Sequence, residues 1–242
     1  MKIDIKNVVK NIANGWFPPR CRGCGATGEY LCKCCKKYIS ENMTVHKIAE
    51  NAGAFKAEHL GYRDEILGEM VEEAKYGAVR GLILELAAIT YEGCFRKKLV
   101  GESEIVIVPM PTSRRHVRER AMDHMDLLAR ELERLSDGKL QRVRLLARAK
   151  DTVQVGSKVE VRRKQAKEAV KLNSLFLNDK GEISKEYSTK EVVLIDDVWT
   201  TGASMTEAGK ILKAAGVKNL TLLAITKSRA RRSPTLRHGE IY

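Results

Sequence analysis

Two apolar periods alternate along the chain. Over residues 1–15, Ile5, Val8, Val9 and Ile12 fall at helical spacing, and "WFPPRC" stops that helix because its prolines cannot continue one. After a cysteine-rich stretch from Cys21 to Cys35, "AFKAEHLGY" alternates as a strand does. "RDEILGEMVEEAKYG" and "VRGLILELAAITYEGCFRKKL" then return to the helical period. "EIVIVPMP" predicts a buried strand ending on its prolines. "HVRERAMDHMDLLARELERL" places Val117, Ala121, Met125, Leu128, Leu132 and Leu135 on one face, which predicts one continuous helix.

"RVRLLARAK" reads as a further strand, whereas Asp151 to Lys167 has no apolar period, is dense in Lys and Arg, and predicts a mobile loop. "EVVLIDD" is an unbroken apolar run of the kind buried on both faces of a parallel sheet. "MTEAGKILKAAG" predicts a helix stopped by Gly216, and "KNLTLLAITK" the next strand. From about residue 100 the order is strand, helix, strand, loop, strand, helix, strand, an α/β domain built on a parallel sheet. The chain carries no internal repeat, and its tail "SRARRSPTLRHGEIY" is basic.

Composition changes this picture in two ways. The 242 residues, 43% hydrophobic and 31% charged, suffice for one full domain and a small module. No apolar run approaches the length that crosses a bilayer, and the first residues mix charge with apolar positions where a secretory signal would not, so a cytoplasmic protein with no membrane insertion is expected. Second, 44 Lys+Arg against 31 Asp+Glu leave a formal charge of +13. That excess suits a polyanionic partner, nucleic acid or a multiply phosphorylated small molecule, and equally a solvated basic surface.

Five of the six cysteines lie between Cys21 and Cys35, in two C-x-x-C pairs, "CRGC" (Cys21, Cys24) and "CKCC" (Cys32, Cys35). Each pair can present two thiolates from one tight turn, and two such turns complete a tetrahedral Zn(II) site whose folding depends on the metal. Gly23 and Gly25 suit the sharp turns. Disulfides do not fit a chain without an export signal, and a redox dithiol needs one C-x-x-C, not two. Cys34 remains an alternative to Cys35 as fourth ligand. Cys94, alone on an apolar helix, reads as a packed core residue.

"VVLIDDVWTTGAS" carries the second constellation. The strand ends on Asp196-Asp197, so both carboxylates emerge at the carboxyl rim of the sheet, where ligands of open α/β folds bind. Two ionised carboxylates can accept hydrogen bonds from the neighbouring hydroxyls of a ribose diol. Val198 to Ser204 leads into a helix expected to begin near Met205, and backbone amides at a helix start favour phosphate. Gly202 permits close backbone approach, and Thr200, Thr201 and Ser204 add hydroxyl donors. The residues therefore describe a ribose-5-phosphate cradle. Asp pairs at strand ends also hold Mg(II) in other doubly wound proteins, without a phosphate loop directly behind them.

With its cysteine pairs, "VPMPTSRRHVRER" and "VQVGSKVEVRRKQ", the chain resembles the ComF family, competence-associated members of the type I phosphoribosyltransferases, over almost its whole length. The resemblance implies residues 1–50 as an N-terminal helix and a four-cysteine zinc-binding module. It implies residues 51–242 as a phosphoribosyltransferase-like α/β domain, a parallel sheet flanked by helices and topped by a small hood. It further implies 5-phosphoribosyl-1-pyrophosphate (PRPP) as ligand, with Mg(II), Asp196 and Asp197 on the ribose in the catalytic centre, and Val198, Trp199, Thr200, Thr201, Gly202, Ala203 and Ser204 around the 5-phosphate. Thr112, Ser113, Arg114 and Arg115 match the family's pyrophosphate loop, and paired arginines suit phosphate oxygens. Gln154 and Arg162 match its flexible loop. Ala121-Met122-Asp123-His124 stands where the family usually has Gly-Phe-Asn/Asp-Gln/His, and Gln165 where it has Asn.

Three functions from different classes follow from the resemblance: a pentosyltransferase moving phosphoribosyl from PRPP to a nitrogenous acceptor, a PRPP-sensing regulator without turnover, and a single-stranded-DNA-binding competence factor. Aromatic residues are 5% of the chain, so backbone electrostatics rather than a stacking platform would carry DNA binding.

Overall fold

Alternation along three long strands sets the architecture. In β7 (Glu191–Trp199), Val193 and Ile195 enter one core and Val192 and Leu194 the other. β3 (Ile105–Pro109) and β8 (Asn219–Lys227) divide in the same manner, Ile107 and Leu223 to the first core, Val106 and Leu222 to the second. A sheet buried on both faces needs strands that are apolar at every position, which is why these read as unbroken runs.

The computed structural model describes residues 18–49, 52, 55–77, 79–99, 104–113, 117–118, 122–148 and 170–229. β1 (His46–Lys47), β2 (Lys56–Tyr62), β3, β4 (Leu140–Arg142), β7 and β8 form one six-stranded sheet in the order β1-β2-β8-β7-β3-β4. All neighbours pair parallel except β1 with β2 at the edge. β5 (Leu146–Arg148) and β6 (Val170–Leu172) form a separate antiparallel pair. The sequence run "RVRLLARAK" thus supplies no single strand. Its start closes the main sheet and its end belongs to the small one.

On the first face pack α1 (Lys33–Asn42), α2 (Ile66–Tyr76), α3 (Arg80–Thr90) and α4 (His124–Leu135). The cysteine module shares that core through Cys21, Leu31 and Ile39. α3 runs into a wider π-helical turn, Tyr91–Phe95, rather than continuing as one helix, and Cys94 there is buried as expected. The second face carries α6 (Ala203–Ala214) and the small sheet; a short helix, α5 (Lys185–Ser188), precedes β7. α6 ends before Gly216, whose φ of +99° an L side chain rarely adopts.

The helix expected over 116–135 is interrupted. Its regular part starts at His124, because the Asp123 backbone is extended and its carboxylate accepts from the Asp126 amide at 3.2 Å. The same Asp123 oxygen accepts from the Thr112 hydroxyl at 3.0 Å, tying the loop after β3 to the helix. The helix expected at residues 1–15 and the loop expected at 151–167 lie outside the described residues. Among the described residues no helix is long and apolar enough to cross a membrane.

Candidate functional site

From β3 the chain crosses through α4 to β4 at one side of the sheet, and from β7 through α6 to β8 at the other. β3 and β7 are neighbours, so their connections diverge. Their carboxyl ends therefore border the crevice where open α/β sheets bind ligands. Thr112 and Ser113 follow β3, and Asp196 to Ser204 complete and follow β7. A cavity of about 380 Å³ opens there, lined by Thr112, Ser113, Asp196, Asp197, Val198, Thr200 and Ser204. It reaches the size of ordinary small-molecule sites.

The two aspartates do not sit side by side. Consecutive strand residues point to opposite faces. Asp197 turns toward α2 and α4, where its Oδ2 accepts from Lys75 Nζ at 2.7 Å and His124 Nε2 at 2.9 Å. Asp196 turns the other way, to the side of Arg148 at the end of β5, and its Oδ1 accepts the Asp197 amide at 2.9 Å. Their electrostatics diverge accordingly. Burial, and next the charge on Asp197, push Asp196 up to about 7, offset only in part by the Asp197 amide and then by Lys75 and Arg148. Burial would also raise Asp197, but the His124 hydrogen bond and the Lys75 ammonium outweigh it and hold that carboxyl at about 2.

The phosphate-loop expectation needs adjustment at both ends. β7 continues through Val198 and Trp199, which pair with Thr226 and Lys227, and α6 begins at Ala203, so the loop proper is Thr200–Gly202. Trp199 is 1% exposed and belongs to the core on the α6 face, so its indole does not line the cavity. Gly202 has φ +74°, and a Cβ there would lie 2.1 Å from the Trp199 ring. Its first structural duty is thus a left-handed turn over a buried indole. Thr201 Oγ1 accepts from the Ala203 amide at 3.4 Å, while Thr200 and Ser204 face the cavity. Arg114, Arg115, Gln154 and Arg162 lie outside the described residues.

Sequence reasoning missed Lys75, His124 and Arg148 as cavity residues. Lys75 sits among the charged positions of α2 with no local mark. His124 was legible only as the last residue of the divergent Ala-Met-Asp-His segment. Arg148 closes a short apolar strand.

The cysteines gather as the spacing predicts, and the fourth member of the group is Cys35, not Cys34. Sγ atoms of Cys21, Cys24, Cys32 and Cys35 all lie within 4.8 Å of one another, whereas Cys34 is exposed and outside the group. The first pair sits on a turn closed by the Gly25 amide on the Cys21 carbonyl at 2.8 Å, with Gly25 at φ +76°. The second pair opens α1, and a Cβ at Gly23 would meet Cys35 Sγ at 2.6 Å. Burial alone would raise the Cys21 thiol. Amide hydrogens of Cys32, Cys24 and Gly23 outweigh it and bring Cys21 down to about 6. Cys35 is raised, by its contact with Cys32 first and burial next. Four thiols this close cannot all ionise unaided, and a dication removes that conflict. The cluster could hold a metal ion.

Comparison with known proteins gives four further findings. Residues 117–238 match the family model described as phosphoribosyl transferase domain. Competence protein F of Haemophilus influenzae is 24% identical over 215 residues, covering 87% of this chain and 85% of that protein. Among solved structures, a hypoxanthine phosphoribosyltransferase from Staphylococcus aureus is similar at 13% identity and TM-score 0.34, covering 66% of this chain and 68% of its own. A hypoxanthine-guanine phosphoribosyltransferase from Bacillus anthracis is similar at 13% identity and TM-score 0.34, covering 69% and 74%.

Proposed function

Because the chain belongs to the phosphoribosyl transferase domain family, we propose that it binds PRPP at the β3–β7 rim and transfers its phosphoribosyl group to a nitrogenous acceptor. The observation that carries this reading is the single cavity joining Asp196, Asp197, Thr112, Ser113, Thr200 and Ser204, residues from two chain segments about eighty positions apart.

Asp196 and the Asp197 oxygen not engaged by Lys75 and His124 accept the two ribose hydroxyls. The Thr200 and Ser204 hydroxyls and the amides opening α6 hold the 5-phosphate, since the first amides of a helix have no partners within it. Thr112 and Ser113, with Arg114 and Arg115, meet the diphosphate. Mg(II) enters as counter-ion of that diphosphate, part of the substrate. The ribose C1–O bond to pyrophosphate breaks, a C1–N bond to the acceptor forms, and the acceptor nitrogen gives up a proton. The anionic Asp197 beside the ribose stabilises the positive charge that develops on it. Keeping water from that cation is the role the family resemblance implies for Gln154 and Arg162, which lie outside the described residues.

The same reading makes the module at residues 1–50 a structural zinc site, held by Cys21, Cys24, Cys32 and Cys35, docked on the domain at 51–242. Its contribution is to folding, because metal binding is folding free energy in such small modules.

Pyrophosphate release from PRPP, followed with candidate nitrogenous acceptors, tests turnover. Release abolished in Asp197→Ala supports the transferase. Saturable PRPP binding with no release from any acceptor moves the assignment to a PRPP sensor. The name of the Haemophilus relative and the +13 formal charge favour one second reading, single-stranded DNA binding by the same chain. A steep fall of single-strand affinity with salt supports it, and no affinity near physiological salt removes it.

A further inference from the structure

Two nitrogen donors from different helices converge on one carboxylate oxygen. Lys75, near the end of α2, and His124, the first residue of α4, lie 2.7 Å and 2.9 Å from Asp197 Oδ2. Neither belongs to the Asp-Asp-x-x-Thr-Thr-Gly stretch, and both line the cavity. The geometry assigns the histidine tautomer. To donate to a carboxylate, Nε2 must carry hydrogen, which leaves Nδ1 bare in the neutral ring. Nδ1 is buried and has no partner among the described residues, so the ring's one polar engagement is Asp197.

An oxygen that accepts two charged or strongly polar donors has no lone pair left for a ligand. Oδ2 is therefore occupied from within the protein, and the remaining oxygen is the one free to meet a hydroxyl. α2 is itself pinned from its far side. Glu73, two positions before Lys75 and so roughly 200° round the helix, pairs with Arg22 of the first cysteine turn. The helix that presents Lys75 is clamped between the cysteine module and the site.

We propose, on the PRPP reading above, that Lys75 and His124 are positioning residues which lock the Asp197 carboxylate in place, keep it anionic, and reserve its second oxygen for a ribose hydroxyl. Among the described residues, the charged and titratable groups acting on this carboxylate include Lys75 from α2, His124 from α4 and Asp196 on its own strand, with Arg148 of β5 acting on Asp196. Asp196 and Asp197 raise each other's cost of ionisation through their like charges, although they face opposite sides of the strand. The clamp decides which of them stays charged.

The test uses the full, metal-replete chain and two readouts: titration of the aspartate carboxyl carbons by ¹³C NMR, and calorimetry with magnesium and PRPP. Lys75→Met and His124→Phe remove one donor each; Lys75→Arg and His124→Gln keep one. Expected are an Asp197 carboxyl midpoint that lies higher in Lys75→Met than in wild type, and PRPP affinity at least about tenfold weaker in both donor-less variants. The donor-keeping pair should stay within about threefold of wild type. Unchanged titration and affinity in Lys75→Met and His124→Phe would overturn the proposal. If wild type itself takes up no PRPP, the functional reading falls, and the carboxyl titration alone decides: a midpoint moved up by Lys75→Met supports the clamp, an unmoved one removes it.

Discussion

The backbone at Gly202 rests on the indole of Trp199, so close that a Cβ would lie 2.1 Å from the ring. Trp199 is 1% exposed, and cannot retreat without opening the core on the α6 face. The turn that precedes α6 is therefore set by packing beneath it as much as by any ligand above it.

Gly202→Ala tests this. It combines a left-handed φ of +74° with overpacking of a buried ring, and should destabilise the chain by about 2–4 kcal/mol in denaturant unfolding. Ser204→Ala, at an exposed position on the same turn, should leave stability within about 0.5 kcal/mol while weakening phosphate-ligand binding. Equal stability of Gly202→Ala and wild type would contradict the packing account.

The acid pair predicts a pH dependence of definite sign. Asp196, pushed up to about 7, keeps its proton where an unfolded aspartate has lost it. Its contribution to stability is present below the unfolded value of 3.8 and is lost as pH rises through about 7. Ligand binding runs the other way, because a charged acceptor holds hydroxyls more strongly. PRPP affinity should rise from about pH 6 to about pH 8, and in Asp196→Asn this component of the rise should be absent. Asp197→Asn removes the like charge, so the Asp196 midpoint should fall, read by carboxyl NMR.

Much of this was legible in the chain, and the exceptions have common causes. β3, β7 and β8 read directly, since strands buried on both faces carry no polar alternation to confuse the period. The cysteine pairs and the acid pair were visible because local spacing alone makes them chemically distinctive. The break before α4 was not, because the apolar period runs unbroken from Val117 to Leu135 while Asp123 leaves the helix for partners outside that period, Thr112 among them. Lys75, His124 and Arg148 acquire their place only when α2, α4 and β5 meet the end of β7. Such contacts have no sequence period. Trp199 was read with the loop because strand ends are set by pairing, here with Lys227, not by composition.

At the cysteine cluster, two neighbouring residues make opposite predictions. Cys35 is a member of the four-sulfur group, whereas Cys34 is exposed and outside it. Cys35→Ser should lower bound zinc well below one equivalent and lower the melting temperature, since Cys21, Leu31 and Ile39 share a core with α2 and α3. Cys34→Ser should match wild type in both. Elemental analysis of the purified variants, with thermal melts before and after chelation, reads both outcomes. Equal zinc in the two variants would contradict the ligand assignment.

The most direct measurement is isothermal titration of PRPP, with magnesium, into the zinc-replete chain and into Asp196→Asn and Thr200→Val. Saturable one-to-one binding to wild type, weakened at least about tenfold in Asp196→Asn and less in Thr200→Val, is the predicted result. Absence of binding to folded wild type, or binding indifferent to both substitutions, would contradict a ribose-phosphate site at the end of β7.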